Sequence, residues 1–253
     1  MKPYYAEEGI TIYHARWEDV LSDLPDESVD IVITSPPCNM GLVLGGGGRG
    51  MYRPGASGKA GRFREGYGAY SDAMPQDEYD AWQRRALTEC WRVVSRAVFY
   101  NHRCRVEHGH LRMPLSMDFG PDLILRQIIT WDRRTGIDVN LRQYCTAQEW
   151  VMIFAKPAFS LVSHAASGMS DVWRLGMAHS GVDHPAPFPV SLPMRAITTT
   201  GALSVLDPFM GSGTTLRAAK DAGISAVGIE PCEAYCEIAV NRLAQGTLFG
   251  AAS

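Results

Sequence analysis

The run Leu203-Ser204-Val205-Leu206 leads into Asp207-Pro208-Phe209-Met210-Gly211-Ser212-Gly213-Thr214-Thr215. A helical stretch, Leu216 to Ala222, follows and is closed by Gly223, the usual left-handed helix terminator. An apolar strand that breaks into Gly-Ser-Gly and restarts as a helix is the strand–turn–helix of an α/β fold. Glycine has no Cβ, so backbone amides at such a turn can approach a ligand closely. The next strand, Ile224 to Ile229, ends at Glu230, 23 positions after Asp207. A spacing of about 20 is that at which a carboxylate takes the hydroxyls of a ribose. A tight turn without a ligand is the plain alternative. A P-loop is a poor fit, because no lysine follows the glycines to reach a terminal phosphate. A ligand with a ribose and little phosphate fits the turn better.

A second punctuated strand lies near the start of the chain. Val29-Asp30-Ile31-Val32-Ile33 stops at Thr34-Ser35-Pro36-Pro37, since two consecutive prolines cannot continue a sheet. Gly41 to Tyr70 is glycine-rich without periodicity, and is expected to be a long mobile loop of the functional kind. Asp77 to Val94 reads as an amphipathic helix, with Tyr79, Trp82, Ala86, Leu87, Cys90 and Trp91 at three- and four-residue steps. Residues 97–100, 123–131 and 150–155 read as strands. The proline-punctuated stretch 185–193 leads into a short helix over 192–197, and a last helix covers 232–243. There is no internal repeat. The strand–loop–helix–strand spacing indicates a doubly wound α/β sheet with helices on both faces.

The 253 residues suit one large α/β domain or two small ones. No apolar run approaches the roughly 18 residues of a membrane span, and the N-terminus lacks the apolar core of a signal peptide. The six cysteines (38, 90, 104, 145, 232, 236) form no CxxC pair, so neither a disulfide framework nor a metal site is expected, and a cytoplasmic location is. The net charge of −3 excludes a uniformly basic coat. It hides an acidic start, −6 over residues 1–30, a basic loop, +4 over 41–70, and a further +5 over 84–134. Phosphate binding needs only such a local patch, although solvated helix faces account for it equally well.

The two punctuated strands together carry a resemblance. Asp207 to Thr215 resembles the S-adenosylmethionine loop of amino-methylating DNA methyltransferases, and Thr34-Ser35-Pro36-Pro37 resembles their catalytic motif. The catalytic motif near the N-terminus and the cofactor loop near the C-terminus are similar to the β class of this family, over roughly residues 10–245. The resemblance implies a circularly permuted Rossmann-like methyltransferase sheet occupying 1–253, with a short target-recognition insert at 157–183. It implies S-adenosyl-L-methionine as cofactor and duplex DNA as partner, with no membrane and no metal. A homodimer and a cognate restriction enzyme remain compatible with it. The implied catalytic group is Ser35, Pro36, Pro37 and Cys38. In the family pattern the Ser35 hydroxyl and the Pro36 carbonyl accept the amine hydrogens of a flipped base. The implied cofactor residues are Thr34, Asp207, Pro208, Phe209, Gly211, Gly213, Thr214, Thr215 and Glu230, with His184 and Phe188 from the preceding segment. Of these, Asp207 would take the methionine ammonium and Glu230 the ribose. Arg49, Arg53, Lys59, Arg62 and Arg64 would meet the DNA phosphates.

The chain departs from the family at three places. Cys38 stands where the family has an aromatic that stacks on the base; Tyr52, Phe63, Tyr67 and Tyr70 are the candidate replacements. Arg16 stands where the family has an acid for the cofactor's adenine, with Trp17 beside it as a stacking or a core residue. The recognition insert is short. His102, His108 and His110 near Arg103 and Arg105 read as a phosphate-facing or solvated cluster rather than a metal site. Serine at position 35 tilts the expected product to N4-methylcytosine. N6-methyladenine and a catalytically impaired DNA-binding relative are the alternatives, and methylation of RNA or a small molecule has less support.

Overall fold

Parallel strands buried on both faces organise the molecule. The computed structural model describes residues 1–39, 74–107, 109–134, 144, 146–176 and 188–245. The chain begins with β1 (Tyr5–Glu7), β2 (Ile10–His14), α1 (Trp17–Leu21) and β3 (Val29–Thr34). It continues with α2 (Gln76–Val93) and β4 (Val94–His102), then a small hairpin of β5 (Arg105–Glu107) and β6 (His110–Arg112). β7 (Leu125–Asp132), β8 (Gln148–Ala155), α3 (His164–Ser167) and β9 (Val172–Arg174) follow. The C-terminal part holds α4 (Ser191–Thr200), β10 (Ser204–Asp207), α5 (Thr214–Ala222), β11 (Ser225–Glu230) and α6 (Glu233–Ala244).

Nine strands form one sheet in the order β1-β2-β11-β10-β3-β4-β8-β7-β9. The five strands from β2 to β4 in that order are mutually parallel, β8 runs against β4, and β7 runs against β8. Parallel strands need both faces covered, and two apolar clusters do this. Ile31 and Ile33 of β3 point to one face, where they join Leu192, Ala196 and Ile197 of α4, Leu216 of α5 and Leu243 of α6. Val32 points to the other, among Trp17, Val20 and Leu21 of α1 and Tyr79, Leu87 and Val93 of α2. Trp17 is a core residue, 3% exposed, with its ring 6.3 Å from that of Trp82.

The strand order reverses between β10 and β3. From β10 the chain crosses through α5 to β11 on one side, and from β3 through α2 to β4 on the other. The carboxyl ends of two adjacent parallel strands therefore diverge at this point, which is where open α/β sheets bind ligands.

The helices and strands expected from the sequence are present within a few residues of their bounds, with β4 longer than expected at nine residues. The small strands β1, β2, β5, β6 and β9 and the helices α1 and α3 were not expected. The excess arginine of 84–134 is partly met by two acids from outside that stretch, Asp26 and Glu149. Arg84 pairs with Asp118 at 2.6 Å, Arg92 with Asp26 at 2.7 Å and Glu89 at 2.8 Å, and Arg133 with Glu149 at 3.0 Å. Among the described residues no helix is long and apolar enough to cross a membrane, and no three metal-ligating side chains cluster.

Gly213 ties the glycine turn to the helical layer. It caps α5 at φ +77°, and a Cβ there would lie 2.7 Å from Ala239 Cβ on α6. Gly213→Ala should therefore cost about 2 kcal/mol or more through backbone strain and forced separation of α5 from α6. A urea unfolding curve checks this, with the midpoint expected to fall.

Candidate active site

The end of β10 and the end of β3 are joined by one buried hydrogen bond. Thr34 Oγ1 donates to Asp207 Oδ1 at 2.8 Å. Asp207 is 1% exposed, and it accepts two more bonds, from Thr215 Oγ1 at 2.6 Å and from the Phe209 amide at 3.1 Å. A carboxylate offers about four acceptor directions, so these three leave one. Burial pushes its pKa up to about 6, against the pull of those three donors.

Glu230 closes the neighbouring strand β11 in the same manner. Its two oxygens accept from the amides of Gly211, at 3.1 Å, and Cys232, at 2.9 Å. Desolvation raises its pKa to about 7. The turn between Asp207 and Thr214 thus wraps around two carboxylates. The Met210 amide donates to the Ile229 carbonyl and the Gly213 amide to the Met210 carbonyl. Gly211 and Gly213 both have positive φ, +50° and +77°, which is the backbone reason for glycine at these positions. Arg242 of α6 braces the turn from outside, reaching Ser212 O at 2.9 Å and Thr214 Oγ1 at 3.1 Å.

The proline turn beyond β3 is held from several sides. Register pairs Thr34 with Tyr100, which sets Asn101 beside Ser35. Asn101 Nδ2 donates to Ser35 Oγ at 3.2 Å and to Glu149 Oε2 at 2.8 Å. The carboxylate fixes which amide atom is the nitrogen, since only a donor can face it. Arg133 pairs with the other Glu149 oxygen at 3.0 Å. Pro37 O accepts from Tyr79 Oη at 2.8 Å and from Gln83 Nε2 at 3.2 Å. The Cys38 thiol lies 3.7 Å from Pro36 O, and Arg105 Nη1 donates to Cys38 O at 3.3 Å. Asn39, at φ +54°, makes a two-way amide bridge with Met74. Its Nδ2 donates to Met74 O at 2.9 Å, and its Oδ1 accepts from Met74 N at 2.7 Å.

The model of the N6_N4_Mtase family, described as DNA methylase, matches residues 29–241. The chain belongs to this DNA methylase family. Its relatives include the Type II methyltransferase M.BglII of Bacillus subtilis, 25% identical over 272 residues that cover 92% of this chain and 68% of the relative. The Type II methyltransferase M2.LlaDCHI of Lactococcus lactis subsp. cremoris is 26% identical over 98% of this chain and 94% of its own. Among solved structures, the PvuII DNA methyltransferase (cytosine-N4-specific) aligns with a TM-score of 0.73 and 18% identity, covering 98% of this chain and 91% of that one. The M1.HpyAVI–SAM complex aligns at 0.61 and 20%, covering 93% and 100%. The permuted α/β sheet expected from the two motifs is the fold of this methylase.

Of the residues singled out from the sequence, the methylase brings Thr34, Ser35, Pro36, Pro37 and Cys38 to one strand end and Asp207 to Thr215 to the next. Pro208, Phe209 and Thr214 are buried in or beside that turn, and the Phe209 ring lies 5.4 Å from Trp82. Phe188, 9% exposed, sits in the cluster under α4. His184, the arginines and lysine at 49, 53, 59, 62 and 64, and the aromatics at 52, 63, 67 and 70 lie outside the described residues, as does His108. The reading of His102 as part of a phosphate-facing or solvated cluster is corrected. It is 1% exposed, with Nε2 at 2.7 Å from Tyr79 Oη and Nδ1 at 3.0 Å from Arg103 O, because β4 runs on to it between β3 and β8. Asn101, Glu149 and Tyr79 were missed as site residues. Strand register places Asn101 and Glu149 and the packing of α2 places Tyr79, and no spacing in the sequence announces either.

Thr215 tests the carboxylate pocket. Thr215→Val keeps the shape and removes one of three donors to a buried carboxylate, which should cost about 1–3 kcal/mol. Chemical denaturation at pH 8, where Asp207 is ionised, measures it.

Proposed function

We propose that this methylase transfers the methyl group of S-adenosylmethionine to the exocyclic N4 of cytosine in duplex DNA, by direct attack of the flipped base. The observation that carries the reading is the Thr34–Asp207 bond. It locks the Ser-Pro-Pro turn and the glycine turn side by side at the carboxyl edge of the sheet, where a methyl donor and an amine acceptor must meet. The residues present fit such a donor. Two buried carboxylates end adjacent parallel strands, and no lysine waits for a phosphate. In this reading the remaining acceptor direction of Asp207 holds the ammonium of the methionine part, and Glu230 holds the ribose hydroxyls. Phe209, Pro208, Gly211, Gly213, Thr214 and Thr215 shape the turn around them, with Thr34, Phe188 and His184 at its margin. When bound, the cofactor supplies an electrophilic methyl on sulfur.

The work left to the protein is to make a poor nucleophile attack. The lone pair of an aromatic amine is delocalised into its ring. Accepting its two N–H groups, at Ser35 Oγ and Pro36 O, lets the nitrogen pyramidalise toward the methyl group. Asn101 fixes the Ser35 hydroxyl by donating to it and still leaves the oxygen a lone pair for the base. Pro36 and Pro37 lock φ and so hold the carbonyl direction. No covalent bond to the protein is required, and Cys38 serves as a small neighbour of the base rather than a nucleophile. Flipping costs roughly a few kcal/mol. Phosphate contacts from Arg49, Arg53, Lys59, Arg62 and Arg64 help repay it, in a segment rooted beside the turn at Asn39 and Met74. Serine at position 35, together with the cytosine-N4-specific PvuII neighbour, favours cytosine. The Type II names of the relatives support a role beside a restriction enzyme.

Mass spectrometry of nucleosides from DNA of an expressing host tests the product. N4-methylcytosine is expected, and N6-methyladenine alone would replace the base assignment. Ser35→Ala should abolish transfer while cofactor binding by calorimetry stays near normal; retained turnover removes Ser35 from its role. Affinity for S-adenosylmethionine should also depend on pH. Donation from the ribose favours the ionised form of Glu230, whose pKa in the free protein is raised to about 7. Binding should therefore tighten as pH rises, by about tenfold from pH 6 to pH 8, and a flat profile would count against Glu230.

A further inference from the structure

Beneath the proline turn lies a group of polar side chains that the fold itself does not require. Tyr79, Gln83, Tyr100 and His102 are each 1% exposed, and all four are linked. Tyr100 Oη donates to Gln83 Oε1, which turns the amide so that its nitrogen faces Pro37 O at 3.2 Å. Tyr79 Oη lies 2.8 Å from Pro37 O and 2.7 Å from His102 Nε2. His102 Nδ1 faces the Arg103 carbonyl at 3.0 Å, so Nδ1 carries the hydrogen and neutral His102 presents Nε2 as an acceptor. The single Tyr79 proton is thus shared between Pro37 O and His102 Nε2, and the Gln83 amide adds a donor of its own to Pro37 O. A core meant only to be stable would fill this volume with apolar groups, because buried polar networks carry a desolvation cost.

Two hydrogen bonds of the network converge on the turn at the Pro37 carbonyl. At the other end Thr34 is bonded to Asp207 and Ser35 to Asn101. Between these anchors two proline φ angles are locked, so few rotations remain that could swing the Pro36 carbonyl. Fixing the Pro37 carbonyl inward removes most of that freedom.

We propose that Tyr79 is a positioning residue for methyl transfer: with Gln83 it anchors the Pro37 carbonyl to the core and thereby sets the direction of the Pro36 carbonyl. The inference rests on the reading of Ser35 and Pro36 as acceptors of the target amine. Positioning of this kind acts on the reacting geometry, where small displacements cost rate, and not on the affinity for either substrate.

The experiment is single-turnover methylation of unmodified plasmid DNA with tritiated S-adenosylmethionine, both at saturation, using the full-length chain. Tyr79→Phe removes only the hydroxyl and should slow transfer at least tenfold. Dissociation constants for DNA and cofactor should stay within twofold of wild type. Gln83→Met removes the other donor at similar length and should slow transfer in the same way, so the inference remains testable if one variant folds poorly. A folded Tyr79→Phe with the wild-type rate overturns it. So does a rate loss matched by an equal loss of DNA or cofactor affinity, which marks a general structural role. Ser35→Ala is run beside them. If it keeps turnover, the acceptor reading itself fails. If it is inactive while Tyr79→Phe is unimpaired, only the positioning role fails.

Discussion

The hydrogen bond from Thr34 to Asp207 is the constraint on which the rest of the site depends. It spans two strands that are neighbours in the sheet and 173 positions apart in the chain. Parallel pairing of β10 with β3 brings the strand ends level, and the hydroxyl–carboxylate contact then fixes two irregular turns against each other. Each turn has further contacts of its own, but this side-chain bond ties one directly to the other. The carboxylate is buried at some electrostatic cost, visible in its raised pKa, and three donors offset part of it.

Much of the architecture is readable from punctuation in the sequence. Pro36-Pro37 marks where β3 must stop, and Gly211 and Gly213 mark where the chain needs positive φ. Both signals are local, and both land at the correct strand ends. The short strand β2 was missed because Ile10-Thr11-Ile12-Tyr13-His14 offers only two fully buried positions within a stretch dominated by acids. Its place at the side of β11 is fixed by pairing and not by its own pattern. His102 was misread for a related reason. Nearby arginines suggested an exposed basic cluster, whereas β4 lies between β3 and β8 and buries its last six residues.

The surroundings of the proline turn were not legible at all. Asn101 meets Ser35 through the register of β4 on β3, and Glu149 meets Asn101 through the register of β8 on β4. Tyr79 and Gln83 reach Pro37 from α2, four residues apart on one helical face. Tyr79 was readable as a buried aromatic but not as a hydroxyl with a carbonyl to hold. A periodicity argument sees that a face is buried; it does not see which polar atom on that face has a partner.

The amide bridge between Asn39 and Met74 joins the end of the proline turn to the start of α2. The chain leaves and re-enters at one bonded pair of residues, 35 positions apart. For a span whose ends are already joined, the closure entropy grows only with the logarithm of its length, about 0.6 kcal/mol per doubling. The strand end and its prolines are therefore held by contacts that do not depend on that length. The bridge thus makes the position of the proline turn independent of the length of chain between Asn39 and Met74.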